Sequence, residues 1–252
     1  MEKIENIDFN ALRDRVYENN CKHGWYDEMP TEERELMLVV SEMGEALNAD
    51  RKGKYADRQM FEKNFDTPQI DPEGHWKFCF ETFIKDTVED EIADTFLRLL
   101  SYSKHRDIDL PPSFFMGNCV ETMHSFMLRE VGFPEQLYTV VFTITQGEEY
   151  SIPTALTRLI VLARINDIDL LWHIEQKMKY NEMRPYKHGG KKYKAMPYLS
   201  ITQPDRNTPL RMTLCLTKEE CALCVLSWSG RTGQPRRNTA SCGSLPVVKR
   251  QP

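Results

Sequence analysis

Glu32-Glu33-Arg34-Glu35-Leu36-Met37-Leu38-Val39-Val40-Ser41-Glu42-Met43-Gly44-Glu45-Ala46-Leu47 is the stretch on which the fold turns. Leu36, Val40, Met43 and Leu47 recur at alternating steps of three and four, the spacing that lays one apolar stripe along a helix. Thr31, next to Pro30, can cap the start, and Glu32 and Glu33 suit the positive end of the helix dipole. The same period extends outward. Ile4, Ile7, Leu12 and Val16 mark an earlier helix that Asn19-Asn20 and then Gly24 end. Ile84, Val88, Ile92, Phe96 and Leu99 mark a later one over about 80–104. Residues 50–77, rich in Lys, Asp, Gly and Pro, read as a long connection. Helical stretches over 113–131, 134–148, 153–166 and 169–182 complete the pattern, and no run alternates as a strand would. The expectation is an all-α helical bundle.

Composition narrows the function. The chain has 252 residues, 40% hydrophobic and 28% charged, ordinary for a globular protein. Neither a secretory leader nor a membrane span is expected, since the longest apolar stretch is interrupted by Arg158, Arg164, Asp167 and Asp169. Seven cysteines without regular spacing argue for reduced thiols and a cytoplasmic location. Residues 195–252 hold eight of the Lys and Arg and three of the Asp and Glu, which leaves a net charge of −10 on residues 1–194. An acidic body of that kind disfavours nucleic acid as a partner. The boundary also divides the chain: 1–194 reads as the helical domain and 195–252 as a basic, flexible C-terminal tail with one possible short helix near 218–225. Cys221 and Cys224 lie in that tail at spacings that match no common zinc finger.

An internal echo lies within the helical domain. Arg98-Leu99-Leu100 matches Arg158-Leu159-Ile160, and Asp107-Ile108-Asp109-Leu110 matches Asp167-Ile168-Asp169-Leu170, each pair 60 residues apart. A helix and its exit turn look duplicated, with 111–168 as an inserted or duplicated segment. Glu91 falls opposite Ser151 and Asp94 opposite Thr154, so acids of the first copy are missing from the second.

Those acids carry the chemistry. Glu42 and Glu45 stand three apart on one helix, as do Glu91 and Asp94 on another, so each pair shares a face. Both pairs border apolar stripes, where solvated charge gains least. On spacing alone a solvated acidic face explains them as well as a ligand set does. Oxygen-only ligands would select a hard cation, Mg²⁺ with Mn²⁺ as a substitute, in preference to zinc.

Three blocks in order resemble the MazG-like nucleotide pyrophosphohydrolase family: Ser41-Glu42-Met43-Gly44-Glu45-Ala46-Leu47 with Asp50-Arg51-Lys52-Gly53-Lys54, Lys85-Asp86-Thr87-Val88-Glu89-Asp90-Glu91-Ile92-Ala93-Asp94, and Lys177-Met178-Lys179-Tyr180-Asn181-Glu182-Met183-Arg184-Pro185-Tyr186-Lys187. The resemblance implies an all-α MazG-like bundle in which Glu42, Glu45, Glu91 and Asp94 coordinate Mg²⁺. It implies hydrolysis of a nucleoside triphosphate, with a dNTP as the expected substrate, to a monophosphate and pyrophosphate. It also implies a homodimer or higher assembly, and the segment 111–168 is similar to the degenerate half of dimeric dUTPases. Ser41 stands where the family often carries a further glutamate. Phosphoribosyl-ATP pyrophosphohydrolase and a non-catalytic nucleotide-binding scaffold are the competing readings.

The third block supplies cations for a polyphosphate. Lys177, Arg184, Lys187 and Lys191 can neutralise phosphate oxygens, Arg184 two at a time. Tyr180 and Asn181 can hydrogen-bond sugar or base. A helix C-terminus carrying cations for its dipole explains the same residues structurally. In the turn ahead of the acidic helix, Trp25 can stack on a base and His23 can bond its edge, or Trp25 can staple the helix start.

Overall fold

A computed structural model of the chain describes residues 7–65, 70–127 and 131–187, with the backbone alone at 124–127. The chain divides at Lys192, and all described residues belong to the first unit, Met1–Lys192. They are helical, with no strand among them. The helices are α1 (Phe9–Lys22), α2 (Glu32–Arg51), α3 (Arg58–Phe65), α4 (Pro72–Phe83), α5 (Val88–His105), α6 (Gly117–Met127), α7 (Phe133–Ile144), α8 (Ser151–Ile165) and α9 (Leu170–Glu182). No described helix is long and apolar enough to cross a membrane.

Helix α5 is the axis. Its residues Ile92, Ala93, Phe96, Leu99 and Leu100 are wholly buried, and it packs against α1, α2, α8 and α9. Helices α2, α5, α8 and α7 form a closed ring of neighbours, each touching the next. Val39, Met43 and Ala46 of α2, Val140 and Ile144 of α7, and Leu156, Leu159 and Ile160 of α8 fill the ring together with α5. A second, aromatic core lies under α3 and α4, where Phe61, Trp76, Phe80 and Ile84 meet Tyr180 of α9. Burying side chains of this size stabilises by about 1.5–3 kcal/mol each, which makes the two cores the main source of stability.

Several boundaries differ from the sequence reading: the stretch over 113–131 opens with a 3-10 turn at Pro112–Phe114 before α6, the stretch over 134–148 ends at Ile144, and two further differences bear on the site. The expected helix over 80–104 is two helices, because the chain turns at Ile84–Thr87. Asp86 adopts a left-handed backbone there, with φ of 57°. Thr87 then restarts the helix by accepting the Asp90 N–H on its side chain. The apolar period hides this break, since Ile84 and Val88 are both buried for separate reasons: Ile84 in the aromatic core, Val88 in the main one. The expected connection over 50–77 holds α3 and the start of α4. The Asp57 carboxylate caps α3 through Met60 N–H, and Asp71 caps α4 with Pro72 in its first turn. The tail, Lys191 and the Cys221/Cys224 pair lie outside the described residues.

The 60-residue echo has a structural counterpart. Asp107 and Asp167 are left-handed, with φ of 55° and 56°. Ile108 N–H returns to the Ser103 carbonyl and Ile168 N–H to that of Ala163, both at 2.8 Å, so α5 and α8 end in the same cap.

Candidate metal centre

The N-terminus of α5 gathers acid. Glu89, Asp90 and Glu91 occupy its first turn, where unpaired N–H groups and the helix dipole favour negative charge. One turn of α5 further, Asp94 joins them. The facing residue is Glu42 on α2. Carboxylate oxygens of Glu42, Glu91 and Asp94 come within 4.8 Å of one another, a grouping able to hold a metal ion. Glu42 and Glu91 are buried, whereas Asp94 keeps partial exposure and opens the group to solvent.

The three carboxyls differ electrostatically. Burial pushes Glu91 up to about 9 against the opposing influence of Lys177, with the neighbouring charges of Asp90, Asp94 and Glu42 adding to the rise. Glu42 also rises, through burial first and the charge of Asp94 second; Arg98 counteracts, its guanidinium donating to Glu42 Oε1 at 2.5 Å. For Asp94 burial is likewise the largest influence, yet the cations Lys177, Arg98 and Arg184 together outweigh it and hold this carboxyl below its usual range. Glu91 is only 3% exposed, and its carboxyl lies within the fields of Lys177, Asp90, Asp94 and Glu42. Carboxyls crowded at this range repel when ionised, and a cation would offset that repulsion. The donor set is all oxygen, so it fits a hard divalent ion.

Glu45 lies apart from this group. It is exposed on α2 and accepts a 3.5 Å hydrogen bond from Ser41 Oγ. Lys177 projects from α9 into the acids rather than toward open solvent: its ammonium is buried, donates to Asp90 Oδ2 at 2.8 Å and stands 3.4 Å from Asp94 Oδ2. Burial opposes the charge on Lys177, but Asp94, Asp90 and Glu91 prevail and raise it above the ordinary lysine range. Asp90 was missed by spacing. It is 1% exposed, accepts the Asp86 N–H at 3.0 Å, and has one carboxylate oxygen without a partner. A buried acid in a helix first turn, with its partner 87 residues away, leaves no local signal beyond its neighbours.

The remaining candidates spread along the end of α9. Tyr180 is built into the aromatic core, its ring stacked on Phe80 and its hydroxyl donating to Glu81 at 2.8 Å. Arg184 lies over the Tyr180 ring and donates to Asn181 Oδ1 at 3.3 Å, while its charge reaches Asp94. Lys187 pairs with Asp27 at 3.1 Å, and its N–H donates to the His23 carbonyl. Tyr186 also bonds Asp27 and lies against Gly24, where a Cβ would meet its ring at 2.5 Å. The structure thereby joins the turn carrying His23 and half-buried Trp25 to the segment carrying Lys187. His23 uses Nδ1 toward the Asn19 carbonyl at 2.8 Å. Comparisons with protein-family models, curated proteins and solved structures returned no match, so this chain is defined by its own geometry as an all-helical protein with a buried carboxylate cluster.

Proposed function

We propose that this chain is a nucleoside triphosphate pyrophosphohydrolase of the MazG-like kind, dependent on Mg²⁺ held by Glu42, Glu91 and Asp94. The observation that carries the reading is the convergence of these three carboxylates from two helices around the buried Glu91. Glu45, a turn further along α2 and exposed, is the fourth carboxylate that the family resemblance implies as a ligand. A bound Mg²⁺ supplies charge neutralisation of the polyphosphate and a more acidic water.

The chain's own residues set the orientation of the substrate. Arg184, electrostatically coupled to Asp94, is the described cation best placed for phosphate oxygens flanking the acids. The Trp25 and His23 turn, tied to Lys187, offers an aromatic face and a polar edge for the base. Water attacks the α-phosphorus, the bond to the bridging oxygen breaks, and pyrophosphate leaves as the monophosphate forms.

Incubation of the purified protein with a panel of dNTPs and NTPs in Mg²⁺ tests this. Equimolar monophosphate and pyrophosphate are expected, with at least one dNTP preferred. Orthophosphate release, or turnover that persists in excess chelator, would contradict it.

A further inference from the structure

The Lys177 ammonium is shared unequally. It is 2.8 Å from Asp90 Oδ2 and 3.4 Å from Asp94 Oδ2, so it is held more closely by the first acid than by the second. Side chains of both Lys177 and Asp90 are almost closed to solvent, at 6% and 1% exposure. The pair is therefore held by geometry rather than by exchange with water. Asp90 is itself locked. Its Oδ2 accepts the Asp86 N–H at 3.0 Å, and its own N–H is capped by Thr87. Asp86, in turn, is anchored by Lys85 at 2.6 Å. The α4–α5 turn thus aims one carboxylate oxygen at Lys177 from a fixed direction.

This arrangement has a consequence for Asp94. A lysine ammonium is a compact charge with three donors, and a cation competes with it for any carboxylate both can reach. Without the negative charge of Asp90, the nearest acid to Nζ is Asp94, the one cluster member that is open to solvent. We infer that Asp90 is a positioning residue: it binds the Lys177 ammonium at the shorter distance and so weakens the hold of Lys177 on Asp94, leaving Asp94 available to ligate a divalent cation. This rests on the reading of Glu42, Glu91 and Asp94 as the cation ligands. Asp90 acts through Lys177, while its own carboxylate also lies within 4.8 Å of oxygens of Asp86 and Glu91.

The test is Mn²⁺ binding, followed by calorimetric titration and by paramagnetic resonance, in wild type, Asp90→Asn and the double variant Asp90→Asn/Lys177→Met. Asp90→Asn is expected to weaken Mn²⁺ binding by about tenfold, the effect of one competing charge partly screened by its surroundings. The double variant removes the competitor together with its holder and leaves a neutral pair of similar volume, which buried sites tolerate. Its Mn²⁺ affinity is expected to return to the wild-type value or exceed it. A merely structural role for Asp90 cannot give that recovery.

Equal binding by wild type and Asp90→Asn would overturn the inference while sparing the cation site. A double variant as weak as the single one would do the same, and so would a fall from two bound ions to one in Asp90→Asn, which would make Asp90 a ligand. Absence of Mn²⁺ uptake by folded wild type would overturn both readings. Should circular dichroism show Asp90→Asn unfolded, the double variant decides: wild-type affinity or better supports the inference, and binding about tenfold weaker refutes it.

Discussion

Three carboxylates within 4.8 Å repel one another unless a proton or a cation intervenes. In the ion-free chain the proton resides on Glu91, which burial pushes up to about 9. Cation binding at neutral pH must therefore displace it. His173 shows the opposite sign in a place without cation chemistry. It is 5% exposed, its Nδ1 has no partner, and burial lowers it to about 4 from the ordinary 6.5. The unfolded chain then binds the proton more readily between those values. Stability should be intact above pH 6.5 and decline as pH falls to about 4, by about 3 kcal/mol in all. Urea denaturation of wild type and His173→Leu at pH 7 and pH 4.5 checks this: the acid-dependent loss attributable to this site should vanish in the variant. Residues of this kind explain what was legible in the sequence. Glu42, Glu91 and Asp94 stand in i, i+3 pairs beside apolar stripes, a spacing that a solvated acidic face explains as well, and the packing of α2 on α5 is what brings the three together. Asp90 gives no such cue, because its importance lies in a contact with Lys177 that only the packing of α9 on α5 creates.

At the scale of elements, the start of α5 governs the site. Thr87 accepts the Asp90 N–H and donates to the Ile84 carbonyl at 2.6 Å, while 3% exposed. Thr87→Ala should cost about 1–2 kcal/mol, the upper range for a cap, because a buried carbonyl also loses its donor. Equilibrium denaturation measures the loss, and weaker Mn²⁺ binding should accompany it as the first turn loosens. The ends of α5 and α8 offer a matched control. Asp107 and Asp167 occupy left-handed backbone, which glycine adopts freely and a β-branched residue resists. Asp107→Gly and Asp167→Gly should be neutral or slightly stabilising, whereas the valine variants should each lose about 1–2 kcal/mol in the same assay. The sequence echo foretold this equivalence, since Asp-Ile-Asp-Leu closes both helices. It did not foretell the break before α5. The apolar period runs through Ile84 and Val88 without interruption, and the cue was the polar Asp86-Thr87 pair rather than hydrophobicity.

Across the whole molecule, the duplicated exits extend to how the helix pairs are held. Arg98 of α5 grips Glu42 of α2, and Arg158 of α8, its counterpart in the echo, donates to the Thr139 carbonyl of α7 at 3.1 Å. The α2–α5 pair keeps an acid where α7–α8 keeps backbone, so one pair holds the carboxylate cluster and the other completes the ring. The bundle was legible from helical periodicity; which helices close the ring was not, because that depends on side-chain volumes meeting across α5. Since α2 and α5 both contribute carboxylates to the cluster and α9 supplies Lys177, a cation bound there should stabilise the unit as a whole. Mg²⁺ at about 100 times its dissociation constant should add about 2.7 kcal/mol, seen as a rise in melting temperature that chelator reverses.

The most direct measurement is Mn²⁺ titration of wild type against Glu91→Gln and Asp94→Asn at neutral pH. Wild type is expected to take up Mn²⁺ with release of about one proton, read from calorimetry in buffers of different ionisation enthalpy. Both variants, with helical content unchanged, should lose most of that affinity. Undiminished Mn²⁺ binding by the two folded variants would contradict the assignment of Glu42, Glu91 and Asp94 as a metal centre.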